Sequence, residues 1–340
     1  MPETIRQLTD AVRAGHELSR EQMQSVTDLL MSGQTLRDDM AGLLSALHER
    51  GETVEELVGA ALSLRKHMHP IRSSRTGIVD TCGTGGSGIS TFNISTASAL
   101  VAAAAGATVA KHGNRRSTSR SGSSDVLVEL GVNIQAGLPV VERCLDELGI
   151  CFCFAPLHHP SVRHVMEVRR SLPHPTIFNL LGPLCNPAAA GFQLLGSGRR
   201  ATLEILAQAL AGLGVTRAAV VHSRDGIGEV SAGEITDGFL VQGGSLTPVK
   251  FSPEEFGAET GTVENILTDD PAHSAQMIRD VLAGTTGPAR SFVLVNAATV
   301  LWVCGIASDL ASGYVAAAEA VHSGRAAGLL RRLAEMTHQA

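Results

Sequence analysis

Apolar residues recur at helical spacing through the first seventy positions, and then the period changes. Leu43, Leu44 and Leu47, followed by Leu57, Ala61 and Leu64, mark the buried faces of amphipathic helices. Three helix starts carry a hydroxyl side chain with Gln, Asp or Glu three positions later: Ser19 with Gln22, Thr35 with Asp38, Thr53 with Glu56. This spacing predicts capping boxes, in which side chains satisfy the open N–H groups of the first turn. The helical texture breaks at His69-Pro70 and the polar run Ser73-Ser74-Arg75.

From Gly77 onward, short β-rich runs alternate with helical stretches. Ile78-Val79-Asp80, Thr108-Val109-Ala110, Ile150 to Phe154 and Ala218 to Val221 read as strands. The alternation predicts a largely parallel sheet covered by helices. Pro-rich punctuation from Leu172 to Pro187 predicts an excursion from the sheet toward the helical part. Ser291 to Cys304 is apolar enough for a buried helix, and the tail from Leu310 reads as two amphipathic helices. No internal repeat or heptad pattern interrupts this reading.

Composition narrows the function classes. Lys plus Arg is 27 against 33 for Asp plus Glu, a net charge of −6, which argues against a phosphate-tracking nucleic-acid surface. With nine Phe, one Trp and one Tyr, the chain lacks a platform for stacking bases. Hydrophobic residues at 44% exclude disorder, and 340 residues suffice for two domains or one large α/β unit. Cys82, Cys144, Cys151, Cys153, Cys185 and Cys304 contain no CxxC pair and read as buried thiols in a reducing compartment. The start MPETIRQLTD has no leader pattern, and Ile94 to Ala110 is too short and too interrupted to span a bilayer. A cytoplasmic protein with no membrane partner is expected.

The segment Asp80-Thr81-Cys82-Gly83-Thr84-Gly85-Gly86-Ser87-Gly88 follows a strand and precedes a helix starting near Asn93. Gly83, Gly85 and Gly88 have the spacing of a dinucleotide turn, though a plain tight turn would use the same glycines. A dinucleotide site needs an acidic residue roughly 20 positions on for the ribose. None stands between Thr81 and Ser124; that window holds Lys111, His112, Arg115, Arg116 and Arg120 instead. Hydroxyls and cations without carboxylates predict a polyanion site. Ser95, in Asn93-Ile94-Ser95-Thr96, could face a divalent cation near a phosphate, or simply cap the helix.

GTGGSG, NIST, Lys111-His112-Gly113-Asn114-Arg115, SGSSD at 121–125, Val168-Arg169-Arg170, NLLGPLCNP at 179–187 and Val221-His222-Ser223 resemble, in order and spacing, the anthranilate phosphoribosyltransferase family. The likeness runs on through GPAR at 287–290 and Asn296-Ala297-Ala298. It implies an α/β fold in which a small all-helical N-terminal domain (1–73) is hinged to a larger α/β domain (74–340) with a mostly parallel central sheet. Segment 163–187 would pack on the helical part, and the protein would be a homodimer. The resemblance further implies transfer of phosphoribosyl from phosphoribosyl pyrophosphate to anthranilate, with Mg²⁺, in tryptophan biosynthesis. Carried over by motif, Gly83, Gly86, Ser87, Thr91, Asn93, Ser95 and Thr96 would meet the sugar phosphate. Lys111, His112, Gly113, Asn114, Arg115 and Ser119, with Ser123, would close around phosphate and pyrophosphate, with Lys111 and Arg115 stabilising departing charge. Gly83, Asn114 and Arg169 would hold anthranilate, and Ser95 and Glu229 would face magnesium.

Three departures stand out against the family. Ser87 and Gly228 occupy positions where acids are usual, and Arg116 stands where a small residue is usual. Either magnesium is held by substrate, water, Ser95 and Glu229, or the chain is a paralogue that keeps only the phosphate cradle. Intact Lys111, Asn114, Arg169 and glycine loop favour the enzyme. His158, His159 and His164 are expected to be polar loop residues, and Asp225, before Gly226, a turn residue.

Overall fold

The computed structural model describes residues 3–114 and 122–339. Four helices come first: α1 (Ile5–Arg13), α2 (Arg20–Ser32), α3 (Arg37–Arg50) and α4 (Val54–Lys66). Ser19 and Thr53 cap α2 and α4 in capping boxes with Gln22 and Glu56, as the spacing predicts. Thr35 does not cap α3. That helix starts after Leu36 with no side-chain cap, and the Thr35 hydroxyl donates to Leu29 O at 3.1 Å. A further box, Thr4 with Gln7, opens α1.

The remainder is built on one seven-stranded sheet. Its strands are β1 (Ile78–Asp80), β2 (Thr108–Gly113), β3 (Ile150–Phe154), β4 (Phe192–Gly196), β5 (Arg217–Ser223), β6 (Thr236–Gln242) and β7 (Ser245–Phe251). The order is β3-β2-β1-β4-β5-β6-β7; the first five are parallel and the last two antiparallel. Every residue of β2 and β3 is buried, as expected for strands covered on both faces. The β6–β7 hairpin turns at Gly243 and Gly244, both at positive φ (56° and 80°), the turn that suits the twist of paired strands.

One core lies on each face of the sheet. On one side, helix α5 (Ile94–Ala104) and the helix Pro288–Val303 cover Val79, Val109 and Val221. On the other, Leu195, Val220 and Val241 share a core with Leu57 and Val58 of the bundle, through the helix Leu203–Gly212. Val165, Val168, Ile177 and Leu184 belong to that second core, and the helix Arg163–Ser171 lies against α2 and α3. The bundle thus closes over the sheet, not beside it. All six cysteines are free thiols, four of them buried.

The central strand β1 has three residues and is paired on both sides, Val79 with Val109 and with Phe192. The chain therefore leaves the sheet at Thr81, at the carboxyl edge, where strand order reverses between β1 and β4. That edge is where ligands bind in open α/β sheets.

Candidate active site

Three loops meet at this edge with backbone against backbone. A Cβ on Gly83 would stand 2.7 Å from Gly196 O, and Thr84 N donates to that same oxygen at 2.9 Å. A Cβ on Gly198 would stand 2.1 Å from Gly85 O, and one on Gly196 only 1.7 Å from Gly228 O. Between these contacts Gly85, Gly86 and Gly88 turn at positive φ. The glycines let the loop after β1, the end of β4 and the 226–229 turn stack without side chains between them. Ser87 closes its own turn, its hydroxyl donating to Ile89 O and accepting from Ile89 N, both at 3.3 Å. Thr91 makes an isolated antiparallel bridge with Leu267.

Behind the loop, Asn93 caps α5, its carbonyl accepting from Thr96 N at 3.2 Å and from the Thr96 hydroxyl at 2.5 Å. Ser95 is in the first turn, and its hydroxyl accepts from Lys111 Nζ at 3.1 Å. Thr81 accepts from the same ammonium at 3.3 Å. Lys111 is only 4% exposed, yet no carboxylate pairs with it within 4 Å among the described residues. Burial lowers its pKa, while Cys82, Asp80 and Glu229 pull it back up. A buried cation served by hydroxyls alone suits an incoming anion.

Asp80, at the end of β1, is the group that sequence reasoning missed. Its Oδ1 accepts from Cys82 N (3.1 Å) and His112 N (3.0 Å), and its Oδ2 accepts from Asn186 Nδ2 (2.7 Å). Burial pushes its carboxyl up to about 6, against these donors and Lys111. Asp80, Cys82 and His112 offer three ligand atoms within 4.8 Å of one another. Both Asp80 oxygens are already taken, and His112 Nδ1 faces Gly182 O at 3.0 Å, so the trio braces backbone.

Glu229 and Asp225 stand on the turn after β5. Burial pushes Glu229 up to about 7; Lys111 acts against this and Asp225 adds to it. Asp225 Oδ2 accepts from the Ser231 hydroxyl at 2.5 Å, while its Oδ1 is buried with no hydrogen-bond partner among the described residues. Asp225 is therefore more than a turn residue. An orphaned carboxylate oxygen on the turn that carries Glu229, whose charge acts on Lys111 beside Ser95, adds an oxygen donor of the kind that suits a hard cation such as Mg²⁺.

Gly113 ends β2, and a Cβ there would press on Ser123 Oγ at 2.4 Å and on the Phe152 ring. Asn114 follows it, exposed. Arg115 and Ser119, with Arg116 and Arg120, lie outside the described residues. Arg169 is on the helix Arg163–Ser171, over the Phe178 ring at 5.3 Å, and burial lowers its pKa. It has no ion-pair partner among the described residues, and its one hydrogen bond is to Met166 Sδ at 3.4 Å. His158 and His159 are buried, not loop-polar: His158 Nδ1 faces His69 O at 3.0 Å, and His159 tilts against His112 with ring centroids 5.1 Å apart. The Pro-rich return covers them, which no local polarity pattern reveals. His164 instead packs on the backbone of Gly33.

A helical bundle closing over the carboxyl edge of such a sheet is the two-part architecture that the glycosyl transferase family describes. The glycosyl transferase family helical bundle domain matches residues 6–68, and the glycosyl transferase family a/b domain matches residues 75–327. The chain is 46% identical to the anthranilate phosphoribosyltransferase of Rhodopirellula baltica, over 95% of this chain and 94% of that one. It is 43% identical to that of Thioalkalivibrio sulfidiphilus, over 99% and 98%. Among solved structures, the Thermus thermophilus anthranilate phosphoribosyltransferase superposes with a TM-score of 0.91 at 37% identity, covering 97% of this chain and 99% of that one. The Saccharomyces cerevisiae enzyme in complex with phosphoribosyl pyrophosphate and Mg superposes at 0.89 with 25% identity, covering 98% and 97%. The chain belongs to the anthranilate phosphoribosyltransferase family.

Proposed function

We propose that this chain transfers the 5-phosphoribosyl group of phosphoribosyl pyrophosphate to the amine of anthranilate, releasing pyrophosphate, at the edge just described. The observation that carries the assignment of residues is Lys111, buried, held by Thr81 and Ser95 and paired with no carboxylate among the described residues. Gly83, Gly86, Ser87, Thr91, Asn93 and Thr96 form the wall for the sugar phosphate, and His112, Gly113, Asn114 and Ser123 the far side; Arg115 and Ser119 are assigned to the same phosphates by motif alone. An arriving polyanion favours charged Lys111 and offsets its burial.

In the transfer, the anthranilate nitrogen forms a bond to the anomeric carbon as that carbon's bond to pyrophosphate breaks. Positive charge grows on the ribosyl ring and negative charge on the leaving oxygen, so the site has to stabilise departing charge more than it has to move a proton. Lys111 supplies this, with Arg115 assigned to the same task. The amine's surplus proton leaves after attack; the neutral aniline nitrogen is already nucleophilic and needs no strong base. Mg²⁺, when bound with the pyrophosphate, neutralises part of that charge. Ser95 and Glu229 are the oxygen donors that would hold it. Arg169, cationic and without a carboxylate partner among the described residues, suits the carboxylate of anthranilate, with Asn114 and Gly83 assigned to the same pocket.

The reading extends to a cytoplasmic homodimer. Free thiols support a reducing compartment, and exposed Leu29 and Leu36 on the bundle support self-association.

Turnover and binding measured side by side test this. The parent should convert anthranilate, with Mg²⁺ required. Lys111→Ala should weaken phosphoribosyl pyrophosphate by at least about 1.5 kcal/mol, the scale of a charge-assisted contact. Arg169→Ala should raise the KM for anthranilate with sugar-phosphate affinity nearly unchanged. Loss of sugar-phosphate affinity in Arg169→Ala with normal acceptor kinetics would reverse the allocation of the two pockets. Tight binding without turnover in the parent would reduce the chain to a phosphate-binding module.

A further inference from the structure

We propose that Asp225 is a second carboxylate of the magnesium site, acting directly or through a metal-bound water, an inference that rests on the assignment of Ser95 and Glu229 above. One oxygen of Asp225 is fixed by the Ser231 hydroxyl, and that hydroxyl is itself held by Gly233 N (2.9 Å) and Glu234 N (3.0 Å). The carboxylate therefore cannot swing to find another donor. Its remaining oxygen is buried with no hydrogen-bond partner among the described residues. Buried carboxylate oxygens are nearly always satisfied, and a hard cation is a partner that such a free oxygen can take.

The turn that carries Asp225 is pinned against the phosphate loop. Ser223 N donates to Ile227 O and Gly226 N to Ser223 O, each at 3.0 Å, and Val230 N donates to Asn296 Oδ1 at 3.0 Å. A Cβ on Gly226 would meet Ile89 at 3.0 Å, and one on Gly228 would meet the Ser197 carbonyl at 3.2 Å. Asp225 and Glu229 thus share one rigid turn facing the loop that holds Ser87. Two carboxylates on one turn repel when both are charged. A divalent cation between two carboxylates and a hydroxyl removes that repulsion. Mg²⁺ is commonly held through one or two carboxylates plus substrate phosphates, so the second acid at this site comes from Asp225, three residues before Gly228.

The test is calorimetry of phosphoribosyl pyrophosphate binding to the intact chain, titrated with Mg²⁺, in the parent and in Asp225→Asn, Glu229→Gln and Ser231→Ala. Asp225→Asn should raise the Mg²⁺ concentration for half of the metal-dependent binding by about tenfold, the lower end for altering a metal's supporting shell. Binding without Mg²⁺ should stay the same or tighten, because a negative charge near the anion is gone. Ser231→Ala keeps the charge and frees the carboxylate, so it should shift the Mg²⁺ dependence in the same direction by less. It stands as the deciding variant if Asp225→Asn does not fold. An unchanged Mg²⁺ dependence in the Asp225 and Ser231 variants, with Glu229→Gln weakened, overturns the role of Asp225 and leaves the Ser95–Glu229 assignment standing. No change in any of the three overturns both.

Discussion

Asp80 shows how much one buried carboxylate can organise. It ties the end of β1 to His112 on β2 and to Asn186. Asn186 in turn donates to Ala110 O at 2.8 Å and accepts from Ala188 N at 2.8 Å. The acid is an acceptor for three donors and cannot be replaced by an isosteric amide without setting one donor against another. Asp80→Asn should therefore destabilise the fold by about 1–3 kcal/mol, the penalty for leaving a buried polar group unsatisfied. Urea midpoints of parent and variant check this. A midpoint within error of the parent would mean the Asp80 bonds are dispensable. The motif GTGG was visible in the sequence as an anion loop, but Asp80 ahead of it was not. Its partners lie on other strands and beyond the Pro-rich return, and nothing local marks a carboxylate whose hydrogen-bond donors are all distant in the chain.

At the scale of elements, the seam of glycines separates two reasons for conserving backbone freedom within one site. Gly198 has its backbone against Gly85 and Ser87, whereas Gly86 has open space around its missing side chain but a φ of 81°. Gly198→Ala must push the phosphate loop away, so it should cost about 1–3 kcal/mol as an overpacking change. It should also weaken phosphoribosyl pyrophosphate. Gly86→Ala meets no atom and should cost only the left-handed backbone penalty of roughly 1–2 kcal/mol. Thermal melts of the two variants, with sugar-phosphate affinity alongside, separate the mechanisms: equal losses of affinity would mean that the seam does not position the loop. Elements with local signals were legible, including β1, the Asn93 cap, and the Ser19 and Thr53 boxes. Others were not read. The β6–β7 hairpin carried its Gly243-Gly244 signal. Thr35 has the spacing of a capping box, yet its hydroxyl folds back on α2. Gly228 reads as a missing acid by family pattern, although a side chain there would crowd the Ser197 backbone.

On the scale of the whole molecule, the bundle and the sheet are joined through buried imidazoles. His69 N donates to His158 O at 2.8 Å where the chain leaves α4, and His158 Nδ1 faces His69 O. His159 packs on His112, which reaches the return segment at Gly182. Burial drives His112 down to about 3 and His159 to about 4, and lowers His158 as well; their mutual charge adds to the effect. Each is neutral when folded and takes up a proton near its ordinary value of 6.5 only once unfolded. The unfolded chain then binds more protons, so stability is full above pH 6.5 and is lost as pH falls toward 4. The loss is up to about 1.4 kcal/mol per pH unit for each such group. Asp80 works in the opposite direction: its folded carboxyl, raised to about 6, gains relative stability as pH falls from 6 toward 3.8. Glu229, raised to about 7, acts as Asp80 does from 7 toward 4.5, so the imidazoles outweigh the two carboxyls only below pH 6.5. Denaturation midpoints should fall with acidification from pH 6.5 to 5, and His159→Gln, which removes one titrating group, should flatten the slope. The Arg224–Asp237 pair, whose carboxyl is held low, titrates only below this window and leaves the slope untouched. A parent whose midpoint is constant from pH 6.5 to 5 would show that these imidazoles are already hydrated in the folded chain. The join between bundle and sheet would then rest on apolar contacts such as Leu57 and Val58 against the helix Leu203–Gly212.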